Sequence, residues 1–188
     1  MKIQELVEMH SSLNSGTENE KIATLEFLRD VDNVETIRKI IAKLDDESIQ
    51  VRGEAFSSLI LNKNDISAVL IENLNSENKN VRAYTVLVLA NRNEVNAIPK
   101  IMELTSDERS MVRSCALGAL GHLKAKQAVG VIEHCLTDSN LEVKKSAVHA
   151  AIFTGFKLSE EKIREISEKS DPELDRLLLR IKNGPEGI

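Results

Sequence analysis

The stretch Asp107-Glu108-Arg109-Ser110-Met111-Val112-Arg113-Ser114-Cys115-Ala116-Leu117-Gly118-Ala119-Leu120-Gly121 decides the fold. It opens on residue types that begin helices and runs into small apolar residues spaced for one helix face. With Val112 as anchor, the phrase recurs at Val51, Val81 and Val143, at separations of 30, 31 and 31 residues. One position on stand Arg52, Arg82, Arg113 and Lys144, and four on stand Ala55, Thr85, Ala116 and Ala147. Phe56, Val86, Leu117 and Val148 follow at the fifth position, and Leu59, Leu89, Leu120 and Ala151 at the eighth. Apolar or small residues at offsets 0, 4, 7 and 8 line one face of an α-helix. The stretch is therefore one unit of a tandem array.

Each copy carries a second, shorter helical run that ends in leucine: Val34 to Leu44, Ile66 to Leu74, Val95 to Leu104 and Ala128 to Leu136. Ile37/Ile40/Ile41, Val69/Leu70/Ile71, Ile98/Ile101 and Val129/Ile132 supply their buried stripes. After each leucine come Asp45-Asp46, Asn75-Ser76, Thr105-Ser106-Asp107 and Thr137-Asp138-Ser139. Such side chains accept from the free N–H groups at the start of the next helix. Ser139-Asn140-Leu141-Glu142 also fits a capping box.

The ends follow the same frame imperfectly. Ile3, Leu6, Met9 and Leu13 read as a second helix without its first, and Glu20 to Leu28 as a degenerate first helix. In the latter, Lys21 takes the arginine slot and Leu25, Phe27 and Leu28 form the face. Ser159 to Ile166 reads as the second helix of the copy starting at Asp138. Asp171-Pro172 caps a last helix, Leu174 to Ile181, before an Asn183-Gly184-Pro185 stop. The expected organisation is a single repeat domain over 1–188. It comprises a half repeat at 1–13, repeats at 14–44, 45–74, 75–104, 105–136 and 137–168, and a capping helix at 171–182.

The bulk numbers agree. A chain 41% hydrophobic and 29% charged has the composition of a folded protein. With 3% aromatics and no Trp, its core must come from Leu, Ile, Val and Ala, which suits close-packed helices. A net charge of -5 argues against bulk attraction to nucleic acid or anionic membrane and leaves only a local basic patch as a route. Two cysteines form no disulfide framework, and the N-terminus shows no apolar signal region, so a cytoplasmic location is expected. No apolar run approaches the roughly 18 residues of a membrane span.

A roughly 31-residue helix pair with Asp, then Val-Arg, then Ala and Ala-Leu resembles the HEAT repeat. Its short variety, known from phycobilisome lyases and from stand-alone bacterial and archaeal proteins, is nearest in form. Asp107, Val112-Arg113, Ala116 and Ala119-Leu120-Gly121 carry the resemblance, followed by Asp138…Val143-Lys144…Ala147 and Asp46…Val51-Arg52…Ala55. The resemblance implies an all-α, right-handed α-α superhelix of about twelve antiparallel helices, with second helices lining a concave face.

The candidate sites divide into structural and functional ones. The ladder Lys21, Arg52, Arg82, Arg113 and Lys144 can be read as a phosphate-binding stripe. It sits beside the buried face in every copy, so pairing with Asp46, Asp107 and Asp138 in the turns is the preferred reading. His10, His122, His134 and His149 include no i, i+4 pair of a helical zinc site. They also lack the His-Glu pairs with which one HEAT-type hydroxylase family holds iron. Cys115 and Cys135 read as small packing residues, Gly118 and Gly121 as points of close helix approach, and Pro99 as punctuation. No catalytic residue, cofactor or metal is expected.

Partner binding is then left to the solvent-facing second-helix positions: Lys39, Lys43, Glu72, Asn73, Lys100, Glu103 and His134. A non-enzymatic scaffold binding a partner protein or peptide on the concave face is the leading expectation. A bilin lyase subunit is the runner-up. A DNA-alkylation glycosylase ranks below it, since the chain has no Trp and one Tyr, Tyr84.

Overall fold

A computed structural model of the chain describes residues 3–168 and 170–183. The side chains of Ile3 and Asn183 and the Gly184-Pro185 stop lie outside the described residues. The described chain is all-α, with twelve α-helices and no strand. It divides into two units, Met1–Arg92 and Asn93–Ile188.

The first unit holds α1 (Ile3–Ser15), α2 (Glu18–Phe27), α3 (Val34–Ala42), α4 (Ile49–Leu61), α5 (Ser67–Asn73) and α6 (Lys79–Asn91). The first helices α2, α4 and α6 pack in one row and the second helices α1, α3 and α5 in another. The second unit holds α7 (Ile98–Glu103), α8 (Ser110–His122), α9 (Val129–Cys135), α10 (Leu141–Thr154), α11 (Glu160–Ser167) and α12 (Pro172–Asn183). Here α8, α10 and α12 form the row, and α7, α9 and α11 pack on them in turn.

The repeat register becomes the core. Val51, Ala55, Ser58 and Leu59 are buried, as are Val81, Thr85, Val88 and Leu89 in the next copy. Val112, Ala116, Ala119 and Leu120 follow, then Val143, Ala147, Ala150 and Ala151. Second helices bury Ile37, Ile40 and Ile41, then Leu70, Ile101 and Ile132. Each such Leu or Ile contributes about 1.5–3 kcal/mol relative to leaving it in water. Small residues let the rows close up: a Cβ on Gly121 would lie 3.1 Å from the Ala150 Cα. Gly118 corrects the expectation of close approach, because a Cβ there would meet nothing within 4 Å. It faces solvent, one turn away from the contact.

Phe27 is a second correction. It is 60% exposed, whereas Leu25 and Leu28 are buried. Helix α2 stops at Phe27 and tightens into a 3-10 turn at Leu28–Asp30. Residues 25 and 27 are about 200° apart around a helix, so they cannot share a face.

The helix starts use two acceptors where the sequence suggested one. Asp46, Ser76, Asp107 and Asp138 accept from the backbone N–H two residues on, at Ser48, Asn78, Arg109 and Asn140. The N-caps proper are Ser48, Asn78 and Asn140, which accept from the first helical turn. The capping box expected at Ser139 is absent because Asn140 takes the cap, and Glu142 turns instead to Lys145. A true capping box joins Thr17 and Glu20. Asp171 caps α12 by accepting from Glu173 and Leu174.

Helix ends follow their own period. Asn93, Lys124 and Gly155 have positive φ, at 56°, 50° and 73°. At the latter two, the following N–H reaches back five residues, Ala125 to Leu120 and Phe156 to Ala151. That is the Schellman closure, and its left-handed residue is ordinarily glycine or asparagine.

Candidate partner-binding face

Four members of the basic ladder, Lys21, Arg52, Arg82 and Arg113, are engaged within the scaffold. Arg52, Arg82 and Arg113 each donate to two carbonyls of their own turn: Asp46 and Glu47, Ser76 and Glu77, Asp107 and Glu108. Arg113 then forks onto Asp138, with Nε 2.8 Å from Oδ2 and Nη2 2.9 Å from Oδ1. Lys21 reaches Asp46 at 2.9 Å across the same stretch of sequence. The Arg113 fork and the Lys21 ammonium thus tie one copy's first helix to the next copy's turn, while Arg52 and Arg82 brace their own turns.

The electrostatics agree. Burial opposes the Asp138 carboxylate, but the Arg113 guanidinium and the Asn140 N–H outweigh it and hold the group below its ordinary range. Asp46 is held low in the same way by Lys21, the Ser48 N–H and Lys43 against burial. These are joints, with little left over for a phosphate.

The second helices present the remaining charged side chains. In the first unit, Arg38 on α3 donates to both Glu72 oxygens on α5, at 3.1 and 2.8 Å. The pair is half exposed on both sides. Lys39 stands 3.9 Å from Glu35 one turn back. Lys43 is only 15% exposed and shares Asp46 with Lys21, which makes it part of the joint. Asn73 folds back to donate to the Val69 carbonyl. In the second unit, Lys100 and Glu103 pair on α7, and the His134 ring on α9 is exposed. Arg38 was not among the candidate positions read from the sequence, and its pairing with Glu72, 34 residues on, leaves no local signal.

The thiols are quiet. Burial pushes the Cys115 thiol up to about 11, and Cys135 is buried with its sulfur 3.6 Å from the Thr105 carbonyl. Reactive thiols need the opposite setting. His10 is held by the Thr36 hydroxyl at 2.9 Å, and His149 stacks on Phe153. Among the described residues no group of three or more His, Cys, Asp or Glu is placed to hold a metal ion. Nor is any described helix long and apolar enough to cross a membrane.

A family model described as HEAT repeats matches residues 67–152. No curated protein matches the chain at significant similarity. Solved structures do. The complex of CpcE and CpcF of phycocyanin lyase from Nostoc sp. PCC7120 contains a chain 16% identical, covering 80% of this chain and 99% of that one at a TM-score of 0.68. The protein YibA of E. coli is 18% identical, covering 95% of this chain and 69% of that one, at 0.64. A designed armadillo repeat protein in complex with the peptide (KR)4 is 18% identical, covering 94% and 97%, at 0.56. At these identities the likeness is one of fold: an all-α repeat of the HEAT and armadillo kind.

Proposed function

Taking the chain as a HEAT-like repeat protein, we propose that it is a non-enzymatic cytoplasmic scaffold that binds a partner protein or peptide along its second helices. The observation that carries this is the second-helix surface itself. Solvent-accessible charges of both signs, Arg38 with Glu72 and Lys100 with Glu103, stand on helices fixed by the buried side chains of Ile37, Ile40, Leu70 and Ile101. Half-exposed pairs of this kind contribute only about 0–1 kcal/mol. Each therefore opens at small cost to face a partner of mixed charge, while the backbone beneath stays put. Rigid helices presenting polar side chains along a repeat are the general means by which solenoids bind extended ligands.

Support from the neighbours is of the same general kind, since one is a complex of two proteins and another is bound to a peptide. A chromophore-lyase reading has the fold likeness behind it and no residue of this chain. A nucleic-acid reading must overcome the net charge of -5.

The test is affinity capture with three proteins: the natural chain, a second-helix variant (Arg38→Glu, Lys39→Glu and Lys100→Glu) and a first-helix variant (Lys79→Glu). A partner that is retained by the natural chain and by Lys79→Glu, and lost from the second-helix variant, supports the reading. Equal capture by all three, or a catalytic turnover of any captured species, refutes it.

A further inference from the structure

The second unit carries a hollow that shares no residue with the repeat joints or with the charged pairs of the second helices. It lies where the end of α10 and the loop after it meet α11 and α12, with a volume of about 590 Å³. That is within the roughly 300–1,000 Å³ of small-molecule sites. Its wall is apolar: Ile152, Phe156, Leu158, Ile163 and Ile181. Phe156 is set there by the Schellman closure of α10, which turns the chain at Gly155 and brings the Phe156 N–H back to Ala151.

The rim is cationic in a chain of net charge -5. Lys157, Arg180 and Lys182 line the hollow, and Glu160, 3.8 Å from Lys182, is its one carboxylate. Among the described residues, Lys157 and Arg180 have no ion-pair partner. A second, contiguous hollow shares Ile152, Phe156 and Lys157 and adds Lys124, Lys126 and the half-exposed Phe153. Lys124 is an outlier in its own right. It occupies the left-handed slot at φ 50°, where the copies on either side have Asn93 and Gly155. Lysine gains nothing from that backbone conformation, so its presence there points to a use for the side chain.

We propose that this hollow binds a monomeric amphiphilic anion, an alkyl or aryl carboxylate or phosphate. Its apolar body lies against Phe156, Leu158 and Ile181, and its charged head sits among Lys157, Arg180 and Lys182. Lys124 and Lys126 extend the attractive field from the neighbouring hollow. Cations beside an apolar wall satisfy both ends of such a molecule, whereas a neutral apolar ligand leaves the charges unused and a bare anion leaves the wall unused. The inference is independent of the second-helix reading, because none of its residues lies on that surface's charged pairs.

Calorimetric titration of the full chain with decanoate, with decanol as the uncharged analogue, tests it. Saturable one-to-one binding of decanoate is expected, weakening with salt, with decanol at least tenfold weaker. Lys157→Glu with Arg180→Glu lowers decanoate affinity at least tenfold. Lys124→Gly weakens it severalfold while the melting temperature stays the same or rises, a combination that a purely structural lysine does not give. Equal affinity for decanol, or decanoate binding untouched by the double change, overturns the proposal. So does sedimentation with phosphatidylglycerol vesicles without any binding of monomeric decanoate, which would reassign the patch to a lipid surface.

Discussion

Two glycines three residues apart on α8 should respond to the same substitution with opposite signs. Alanine in place of glycine within a helix gains about 0.5–1 kcal/mol by restricting the unfolded chain. At Gly118 the new methyl meets nothing within 4 Å, so Gly118→Ala keeps the whole gain. At Gly121 it lies 3.1 Å from the Ala150 Cα and 3.6 Å from both the Ala150 Cβ and the Phe153 ring. The nearest of these is backbone of a packed helix and cannot swing aside. Overpacking of this sort costs about 1–3 kcal/mol. The helical gain is also smaller near the end of α8, so Gly121→Ala should lose about 1–2 kcal/mol net. The two variants should therefore differ by about 1.5–3 kcal/mol, or roughly 3–12 °C in melting temperature for a chain of this length. Thermal and urea unfolding followed by circular dichroism, with unchanged m-values, measures the difference. If both substitutions stabilise equally, α8 and α10 do not depend on glycine for their approach, and the packing argument fails.

Substitutions at three further positions probe the joints and the core. Thr85 is fully buried and its hydroxyl has no hydrogen-bond partner among the described residues, at a position that holds alanine in the other copies. Thr85→Val keeps the shape, removes the unpaired oxygen and should gain about 1–2 kcal/mol in urea unfolding; no gain would mean that the hydroxyl is satisfied. Asp138→Ala strands the Arg113 fork and the Asn140 N–H, and should lose about 2–3 kcal/mol, whereas a loss below about 0.5 would place the joint with ordinary surface pairs. Because Asp46 and Asp138 are held below their ordinary range when folded, their contribution is full above about pH 4 and is lost as pH falls through the lowered values. The acid limb of a melting-temperature profile should accordingly flatten in Asp138→Asn. Burial likewise holds the His10 imidazole low, so stability should decline as pH falls below about 6.5, and less so in His10→Gln.

Much of this fold was readable in the chain because the repeat writes the core four times. Val112, Ala116 and Leu120 have counterparts at each turn of the array, and small or branched apolar residues at that spacing have one place to go. The helix starts were misplaced by about two residues for a physical reason. Asp46 and Ser48, or Asp138 and Asn140, both accept from backbone N–H groups, and composition does not say which is the turn and which the cap. The helix ends were legible in part: Asn93 and Gly155 stand two periods apart, but Lys124 between them is a residue that sequence rules do not associate with positive φ. The candidate site was harder still. Lys43 and Asn73 were picked as solvent-facing, yet one is drawn into the Asp46 joint and the other bonds its own helix. Arg38 finds Glu72 across 34 residues of sequence, a pairing no local pattern announces. The cationic hollow draws on α10, α11 and α12 together, so no single segment carries its signature.

Site-specific photocrosslinking tests the second-helix account most directly. A photoreactive residue placed in turn at Lys39, Lys100 and His134, and on the first-helix side at Phe56 and Tyr84, is activated in the cells that make the protein. The account predicts crosslinks to one and the same partner from the second-helix positions and none from Phe56 or Tyr84, which line an apolar hollow between α4 and α6. Crosslinks confined to Phe56 and Tyr84 would contradict it and move the partner to the opposite row of helices.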